Sequence, residues 1–218
     1  MALFDLSEAD ASYNGNRVLK NVSLSVEAGE KIALVGRSGA GKSTLLRLLY
    51  DRHETECALV PQNLGLVSSL SVFHNVFMSR LHKNSTWYNL ANLIRPFAKE
   101  ADRVRAILEK LRLSEKFSTP VGELSGGQQQ RTGIARALYQ DCAVFLGDEP
   151  VSAVDEHQAR GVMKNITESH ETVILAMHDM QLALQFCTRI IGLKGGQIVL
   201  DRPSEGMTPA DLHDLYNG

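Results

Sequence analysis

A glycine-rich loop at residues 36–44 constrains the fold of this chain more than any other feature. Its sequence, GRSGAGKST, fits the pattern G-x-x-x-x-G-K-[ST]. An apolar run typical of a strand buried on both faces precedes the loop at residues 32–35, and residues 42–50 have a helical pattern. A loop in this setting points backbone N–H groups and the positive end of a helix at a phosphate. The sequence therefore predicts an α/β fold with a nucleotide-binding loop.

Each residue type in the loop has a predicted task. The glycines let the backbone turn around the phosphates without clashes from Cβ atoms. Lys42 is expected to reach the β- and γ-phosphates of ATP, and the hydroxyl of Ser43 is expected to bind Mg²⁺. We predict that the nucleotide contacts the whole segment, namely Gly36, Arg37, Ser38, Gly39, Ala40, Gly41, Lys42, Ser43 and Thr44.

A second candidate phosphate site opens the helix predicted at residues 129–139. Residues 124–128 read LSGGQ, and two adjacent glycines at the start of a helix expose N–H groups to a phosphate. Alone, the segment is also a reasonable helix cap, because serine is a favoured N-cap residue. In a chain that carries the upstream loop, we interpret it as a second half-site made by Ser125, Gly126, Gly127 and Gln128.

Paired carboxylates end a predicted buried strand. Residues 143–150 read AVFLGDEP, and a strand that ends beside the phosphate loop lets Asp148 hold Mg²⁺. Glu149 then points elsewhere and is free to polarise a water molecule. The alternative is a solvated acidic turn. His178 ends another apolar run, residues 172–177, which we expect beside the first, so that the imidazole contacts the γ-phosphate.

The middle of the chain predicts a helical region inserted into the α/β core. Residues 64–116 show little strand pattern, and apolar residues recur at helical spacing from Val104 to Leu111. Beyond this region the α/β pattern resumes. It predicts a helix at residues 156–169, a strand pair around the turn at residues 194–196, and a last helix at residues 208–216.

Composition limits the class of function. The formal net charge is −2 and no long basic run is present, which argues against a nucleic-acid partner. No apolar stretch reaches the roughly 18 residues needed to cross a bilayer, so a membrane role requires a partner. The cysteines Cys57, Cys142 and Cys187 are scattered, which indicates reduced thiols in a cytoplasmic protein and not a disulfide framework or zinc site.

In this order, the motifs resemble those of the ATP-binding-cassette (ABC) ATPase family over essentially the whole chain. Residues 36–44 are similar to its Walker A motif, residues 124–128 to its signature, residues 143–149 to Walker B and residues 152–155 to its D-loop. Three single residues also match positions of the family: the Q-loop glutamine (Gln62), the switch histidine (His178) and the aromatic residue that stacks on adenine (Tyr13).

The resemblance implies a P-loop NTPase of ABC type with a mainly parallel core sheet and flanking helices. Residues 1–62 and 130–218 would form the α/β core with an antiparallel β subdomain, and residues 63–129 a helical subdomain that carries the signature. Only about 20 residues separate Lys42 from Gln62, fewer than the family usually has. We therefore predict a reduced β subdomain and a weaker nucleotide affinity.

The resemblance also implies a reaction and partners. Two copies would pair head to tail as a homodimer, with each ATP between Walker A of one copy and the signature of the other. Glu149 would act as general base, with Lys42, His178 and Gln62 as further catalytic residues. Gln62 would join Ser43 and Asp148 at Mg²⁺ and connect this site to the helical subdomain. That subdomain would dock on integral membrane permease subunits at the cytoplasmic face of the inner membrane.

A finer resemblance is to the phosphonate-importer ATPases, which implies a separate solute-binding protein. It lies in residues 81–93, which include Trp87, and in the tail at residues 190–218. Gly147 and Gly133 stand where relatives commonly have alanine, and neither change removes a catalytic group. Two alternatives stay open at this point: a soluble ABC-type ATPase acting in DNA repair or translation, and a small-molecule kinase or GTPase that shares only the phosphate loop.

Overall fold

The computed structural model describes residues 2–13, 15–53 and 56–216, and gives the backbone but not the side chain of Tyr13. Its strands are β1 (Phe4–Tyr13), β2 (Asn16–Val26), β3 (Lys31–Val35), β4 (Cys57–Val60), β5 (Val144–Asp148), β6 (Thr172–Ala176), β7 (Arg189–Lys194) and β8 (Gln197–Pro203). Its α-helices are α1 (Lys42–Arg52), α2 (Val72–Phe77), α3 (Thr86–Ile94), α4 (Ala98–Lys110), α5 (Gly126–Gln140), α6 (Glu156–Ser169) and α7 (Met180–Phe186).

These elements fall into two units. The α/β unit comprises Met1–Gln62, Ala143–Pro150 and His170–Gly218, and the helical unit comprises Asn63–Cys142 and Val151–Ser169. Each unit is therefore built from separate stretches of the chain. The subdomain boundary expected at residue 129 stays a prediction.

The α/β unit contains the main sheet, whose strand order is β4-β5-β6-β3-β7-β8. Neighbouring strands are parallel, except that β8 runs antiparallel to β7. All five residues of β6 are buried, and so are residues 32–35 of β3. Such continuous burial is expected for central parallel strands covered on both faces, and it explains why the apolar runs identified them from sequence.

A separate two-stranded antiparallel sheet, β1-β2, joins the same core. Leu45, Leu46 and Leu49 of α1 are buried in one cluster with Phe4 of β1 and with residues of β2, β3, β5 and β6. This packing fixes α1, and with it the end of the phosphate loop, against the sheets. The predicted α/β class is confirmed, with a mainly parallel sheet, a small antiparallel sheet and helices.

The helical unit packs around aromatic side chains and one buried carboxylate. Phe73 stacks on Phe77 with ring centroids 5.6 Å apart, and Phe77 lies 6.5 Å from Tyr139. Glu100 is buried and accepts hydrogen bonds from the hydroxyls of Tyr139 and Tyr88, the latter at 2.9 Å. Because Tyr88 lies on α3 and Glu100 on α4, this carboxylate ties α3 to the core of the unit. Four 3-10 helices complete the described elements: Met78–Lys83, Ser114–Lys116, Val121–Glu123 and Pro209–Leu215.

The last helix, β1 and α7 are among the elements that differ from the sequence prediction. The last helix, expected to be α-helical up to Tyr216, is a 3-10 helix, because its N–H groups bond three residues back, as in Asp211 to Thr208. Strand β1 was missed because register shifts after Leu6 break its apolar alternation. Helix α7 was missed because seven residues are too few to show a helical period. Within the described ranges, no helix is long and apolar enough to cross a bilayer.

Candidate nucleotide site

Four predicted site segments follow the carboxyl ends of parallel strands in the main sheet. The phosphate loop follows β3, Asp148 ends β5, His178 lies two residues beyond β6, and Gln62 lies two residues beyond β4. Strands β5 and β6 are neighbours, as predicted, and β6 also pairs with β3. Ligands of open α/β sheets bind outside this edge, so the sheet order itself assembles the site.

The phosphate loop adopts a backbone that only glycine tolerates at its ends. Gly36 has a φ of 141° and Gly41 a φ of 108°. A Cβ atom on Gly36 would overlap the carbonyl oxygen of Leu193, and one on Gly41 would lie 2.7 Å from Cδ2 of Leu19. Gly41 is also the N-cap of α1 and offers no side-chain hydrogen bond. The first N–H groups of α1 are therefore left for a ligand such as a phosphate.

Lys42 lies within the curve of this loop. Its side chain is buried, and its Nζ donates to the carbonyl oxygens of Gly36 at 2.7 Å and Arg37 at 3.1 Å. Burial lowers the pKa of Lys42 below its usual value, while the carboxylates of Glu149 and Asp148 act in the opposite direction. The lysine charge is thus held where a phosphate chain would follow the loop.

Asp148 and Ser43 form an oxygen pair beside the loop. Burial raises the pKa of Asp148, a hydrogen bond with Ser43 opposes that rise, and the Glu149 carboxylate adds to it. Lys42 and His178 lower the same pKa through their charges. A serine hydroxyl and an aspartate carboxylate are hard oxygen donors of the kind that Mg²⁺ prefers.

Glu149 and His178 are in direct contact. Oε1 of Glu149 lies 2.8 Å from Nε2 of His178. The backbone of Glu149 has a φ of 52°, uncommon for a residue with a side chain, and its N–H donates to the carbonyl oxygen of Ala176 at 3.0 Å. Strand β6 therefore holds the backbone of the carboxylate while the histidine beyond the same strand holds its side chain.

One pocket of about 210 Å³ collects most of the residues predicted for this half of the site. It is lined by Lys42, Ser43, Thr44, Ser38, Gly39, Gly41, Gln62, Glu149, His178 and Val18. Arg37 and Ala40 border a neighbouring pocket on the loop instead. The backbone of Tyr13 ends β1, but the side chain predicted to stack on adenine lies outside what the structure describes. Val18 was missed, because the strand pattern was recognised only from residue 22 while β2 begins at Asn16.

The signature motif begins α5 in the helical unit. Ser125 is its N-cap and forms a capping box with Gln128, in which Gln128 Oε1 accepts from the N–H of Ser125 at 3.0 Å. The side chain of Gln128 is therefore turned back onto the helix end. Ser125 and Gly126 are exposed, whereas Leu124 is buried and anchors the turn. The predicted second phosphate site is thus the exposed start of a helix of fifteen residues, and the buried side chain of Leu124 holds it in place.

The segment at residues 152–155 packs against this helix within the same unit. Gln130 of α5 accepts the N–H of Ala153 at 2.8 Å and donates to the hydroxyl of Ser152 at 3.1 Å. A Cβ atom on Gly127 would lie 2.7 Å from the carbonyl oxygen of Ala153. Gly127 therefore permits a backbone contact that any larger residue would prevent, and the signature and the D-loop segment form one structure.

Comparison with known proteins gives a consistent family. The family model described as ABC transporter matches residues 19–152. The phosphonates import ATP-binding protein PhnC of Staphylococcus haemolyticus is 35% identical over 248 aligned residues, covering 99% of this chain and 95% of that protein. The phosphonates import ATP-binding protein PhnC 1 of Halalkalibacterium halodurans is 36% identical over 244 aligned residues, covering 98% of this chain and 94% of that protein. Both alignments are longer than the 218 residues of this chain, so these relatives have residues that it lacks.

Solved structures agree with that family. A dimeric ATP-binding cassette in a post-hydrolysis state, bound to ADP and Pi, superposes with a TM-score of 0.77 at 26% identity, covering 93% of this chain and 99% of that one. A dimeric bacterial ABC transporter cassette gives a TM-score of 0.78, also at 26% identity and the same coverage. Together with the site geometry, these matches exclude the alternative of a small-molecule kinase or GTPase that shares only the phosphate loop. The chain belongs to the ABC transporter family and is an ATP-binding, ATP-hydrolysing subunit of that family.

Proposed function

We propose that this chain hydrolyses ATP with Mg²⁺ as a head-to-tail homodimer and thereby powers import of phosphonate-type solutes through membrane permease subunits. The observation that carries the proposal is the meeting of Lys42, Glu149 and His178 in the pocket behind the phosphate loop. A cation for the phosphates, a carboxylate for the water and an imidazole in contact with that carboxylate suit the hydrolysis of a phosphoanhydride.

The pocket suits a triphosphate in charge and in backbone geometry. ATP would contact the N–H groups of residues 36–44 and the uncapped start of α1, and Lys42 would exchange its carbonyl partners for β- and γ-phosphate oxygens. Ser43 and Asp148, with the amide oxygen of Gln62, are the residues that would hold Mg²⁺. When bound, Mg²⁺ neutralises charge on the phosphate oxygens.

Glu149 is the general base in this proposal. Its carboxylate would accept a proton from the attacking water, and the 2.8 Å contact with Nε2 of His178 fixes the direction in which it points. His178 lines the same pocket, so its imidazole would lie in the site that receives the γ-phosphate of bound ATP. Lys42 neither donates nor accepts a proton in this step; its positive charge stabilises the negative charge of the transferred group.

The second half-site would come from another copy of the chain. Ser125 and Gly126 are exposed at the start of α5, where N–H groups and the helix dipole favour an anion. The relative that was solved with ADP and Pi is a dimer, which supports the same arrangement here. In that arrangement, Ser125, Gly126 and Gly127 of one copy contact the γ-phosphate held by Lys42 of the other.

The surface proposed for the membrane subunits is the exposed face of α3. Trp87 and Ile94 of α3 are each 81% exposed and Leu90 of the same helix is 46% exposed; Phe97, the N-cap of α4, is 42% exposed. A contiguous group of large apolar side chains on a soluble surface marks a protein interface. The hydroxyl of Tyr88, on the same helix, is fixed by the buried Glu100, so this face is presented on a rigid support.

Import of a phosphonate-type solute is the finer part of the proposal. It is supported by relatives of 32–38% identity whose names state that they are phosphonates import ATP-binding proteins. The same relatives favour transport over the alternative of a soluble ATPase in DNA repair or translation. A separate solute-binding protein would deliver the cargo, and the chain would lie at the cytoplasmic face of the inner membrane.

ATP hydrolysis by the purified chain tests the core of this proposal. Glu149→Gln keeps the size of the side chain and its contact with His178 but removes the base, so turnover with Mg²⁺ should fall by about 10²–10⁴-fold while ATP still binds. Glu171→Gln changes an exposed carboxylate of the same unit and serves as the matched control. Turnover by Glu149→Gln at the rate of the control would refute the assignment of the base.

A further inference from the structure

The phosphate loop is held at its first residue by the last described residue of the chain. Strand β3 ends at Val35, which is its last pair with β7, so the N–H of Gly36 lies beyond the ladder. Gly36 is buried, and its N–H donates to the hydroxyl oxygen of Tyr216 at 3.3 Å. A buried backbone N–H requires an acceptor. Here a side chain 180 residues away in sequence supplies it.

The backbone N–H and the carbonyl group of Gly36 are both hydrogen-bonded to side chains. The carbonyl oxygen of Gly36 accepts from Nζ of Lys42 at 2.7 Å, while its N–H is bonded to Tyr216. Close packing against the carbonyl of Leu193 on β7 fixes its Cα. The tyrosine hydroxyl and the phosphate-binding lysine thus act on one residue from opposite sides.

The C-terminal segment that carries Tyr216 is itself well anchored. Thr208 and Asp211 form a capping box at its start, with the Thr208 N–H bonded to Asp211 Oδ2 at 2.7 Å. Leu212 and Leu215 are buried, and a Cβ atom on Gly192 would lie 2.7 Å from Cδ1 of Leu215. The segment therefore packs closely on β7, the strand beside the loop, and places the tyrosine ring reproducibly.

We propose that Tyr216 is a positioning residue for ATP binding. Its hydroxyl holds Gly36 so that the loop keeps the curve in which Lys42 and the following N–H groups can receive phosphates. Without this bond, loop conformations that cannot bind become populated, and the apparent affinity falls by the fraction of loops that stay competent. The inference rests on the proposed role of residues 36–44 as the phosphate site.

Tyr216→Phe removes only the hydroxyl and is the variant to compare with the wild type. The matched control is Tyr50→Phe, at another half-buried tyrosine of the same unit. One hydrogen bond contributes about a five-fold change in an equilibrium, so the Kd for ATP should rise by up to about five-fold. The turnover number at saturating ATP and the unfolding midpoint should stay close to those of Tyr50→Phe. The Gly36 amide, followed by hydrogen exchange without nucleotide, should exchange about five-fold faster.

A second variant acts on the same contact from a distance. Thr208→Ala removes the bond from the Thr208 hydroxyl to Asp211 Oδ2, at 2.8 Å, but leaves the tyrosine ring and hydroxyl in place. It should therefore raise the Kd as well, but by less than Tyr216→Phe. A Kd of Tyr216→Phe equal to that of the wild type would overturn the proposal. A rise in Kd accompanied by a fall in both the unfolding midpoint and the turnover number would also overturn it, because that pattern indicates a structural role. A wild type that binds no ATP would contradict the proposed function instead.

Discussion

The glycine inside the signature helix offers the sharpest test of packing in the helical unit. Gly133 lies in the middle of α5, where alanine would stabilise a helix by about 1 kcal/mol relative to glycine. A Cβ atom at this position would, however, lie 2.9 Å from Cδ2 of Leu64. Leu64 cannot simply swing away with its backbone, because Arg136 of the same helix donates to the carbonyl oxygens of Leu64 and Gly65.

The two contributions to Gly133→Ala should nearly cancel. Overpacking costs about 1–3 kcal/mol, and the low end applies because the end of the half-buried Leu64 side chain can shift. The net change in the free energy of unfolding should therefore lie within about 1 kcal/mol of zero, given the gain in helix propensity. In a Leu64→Ala background the clash is absent, so the same substitution should stabilise the protein by about 1 kcal/mol, or about 2–4 °C in Tm.

Thermal and urea unfolding of the four proteins in this cycle measure the coupling. Gly161→Ala is the matched control, because Gly161 lies in α6 and a Cβ atom there would meet nothing within 4 Å. That control should stabilise the protein by about 1 kcal/mol in both backgrounds. If Gly133→Ala stabilises the protein equally with and without Leu64, the reasoning is refuted, since the coupling energy between the two sites would then be zero.

Three further outcomes follow from the structure. Gly195 and Gly196 both have positive φ, but only at Gly196 would a Cβ atom overlap the carbonyl of Val18 in the pocket wall. Gly195→Ala should therefore cost only stability, about 1–2 kcal/mol in unfolding experiments. Gly196→Ala should cost more stability than that and also raise the Kd for ATP. Ile94→Asp should abolish co-purification with the membrane subunits and leave ATP hydrolysis by the isolated chain intact. Val199→Asp, at an exposed control position in the α/β unit, should keep both the complex and the hydrolysis. Burial raises the pKa of Asp148, so its ionised form is disfavoured in the folded state. Asp148→Asn should therefore raise the unfolding midpoint at pH 7 in the absence of Mg²⁺. This gain should shrink as the pH falls through the pKa of Asp148, because the wild-type carboxyl then becomes neutral.

The parts of the site that sequence could predict are those fixed by the ends of strands. Apolar runs marked β3, β5 and β6. The phosphate loop follows β3, Asp148 ends β5, and His178 lies two residues beyond β6. Because parallel strands end at one edge, the runs also predicted that these residues meet, and the pocket contains Lys42, Glu149 and His178 as expected. Helix α6 occupies the predicted residues 156–169, because its charged first turn and apolar period mark both ends.

What sequence could not predict depends on contacts between segments that carry no pattern of their own. Strand β1 alternates for only a few residues before its register shifts, so its apolar side chains do not reveal it. The hydrogen bond between the Gly36 N–H and the Tyr216 hydroxyl joins the loop to the C-terminal segment. No spacing of residues in the sequence indicates which atom this hydroxyl bonds. The direct contact between Glu149 and His178 likewise depends on a positive φ at a non-glycine residue, a conformation that residue type does not favour.

The glycines of the α/β unit explain why such distant segments meet at the nucleotide site. Gly36 of the loop packs against the carbonyl of Leu193, and Gly196 of the β7-β8 turn packs against the carbonyl of Val18. Each contact brings two backbones closer than any side chain would allow, so the loop packs directly on β7, and the β7-β8 turn packs directly on β2. Gly36 belongs to the pattern G-x-x-x-x-G-K-[ST] and Gly196 does not, yet the same steric argument applies to both. The phosphate loop is therefore shaped as much by these approaches as by its own sequence.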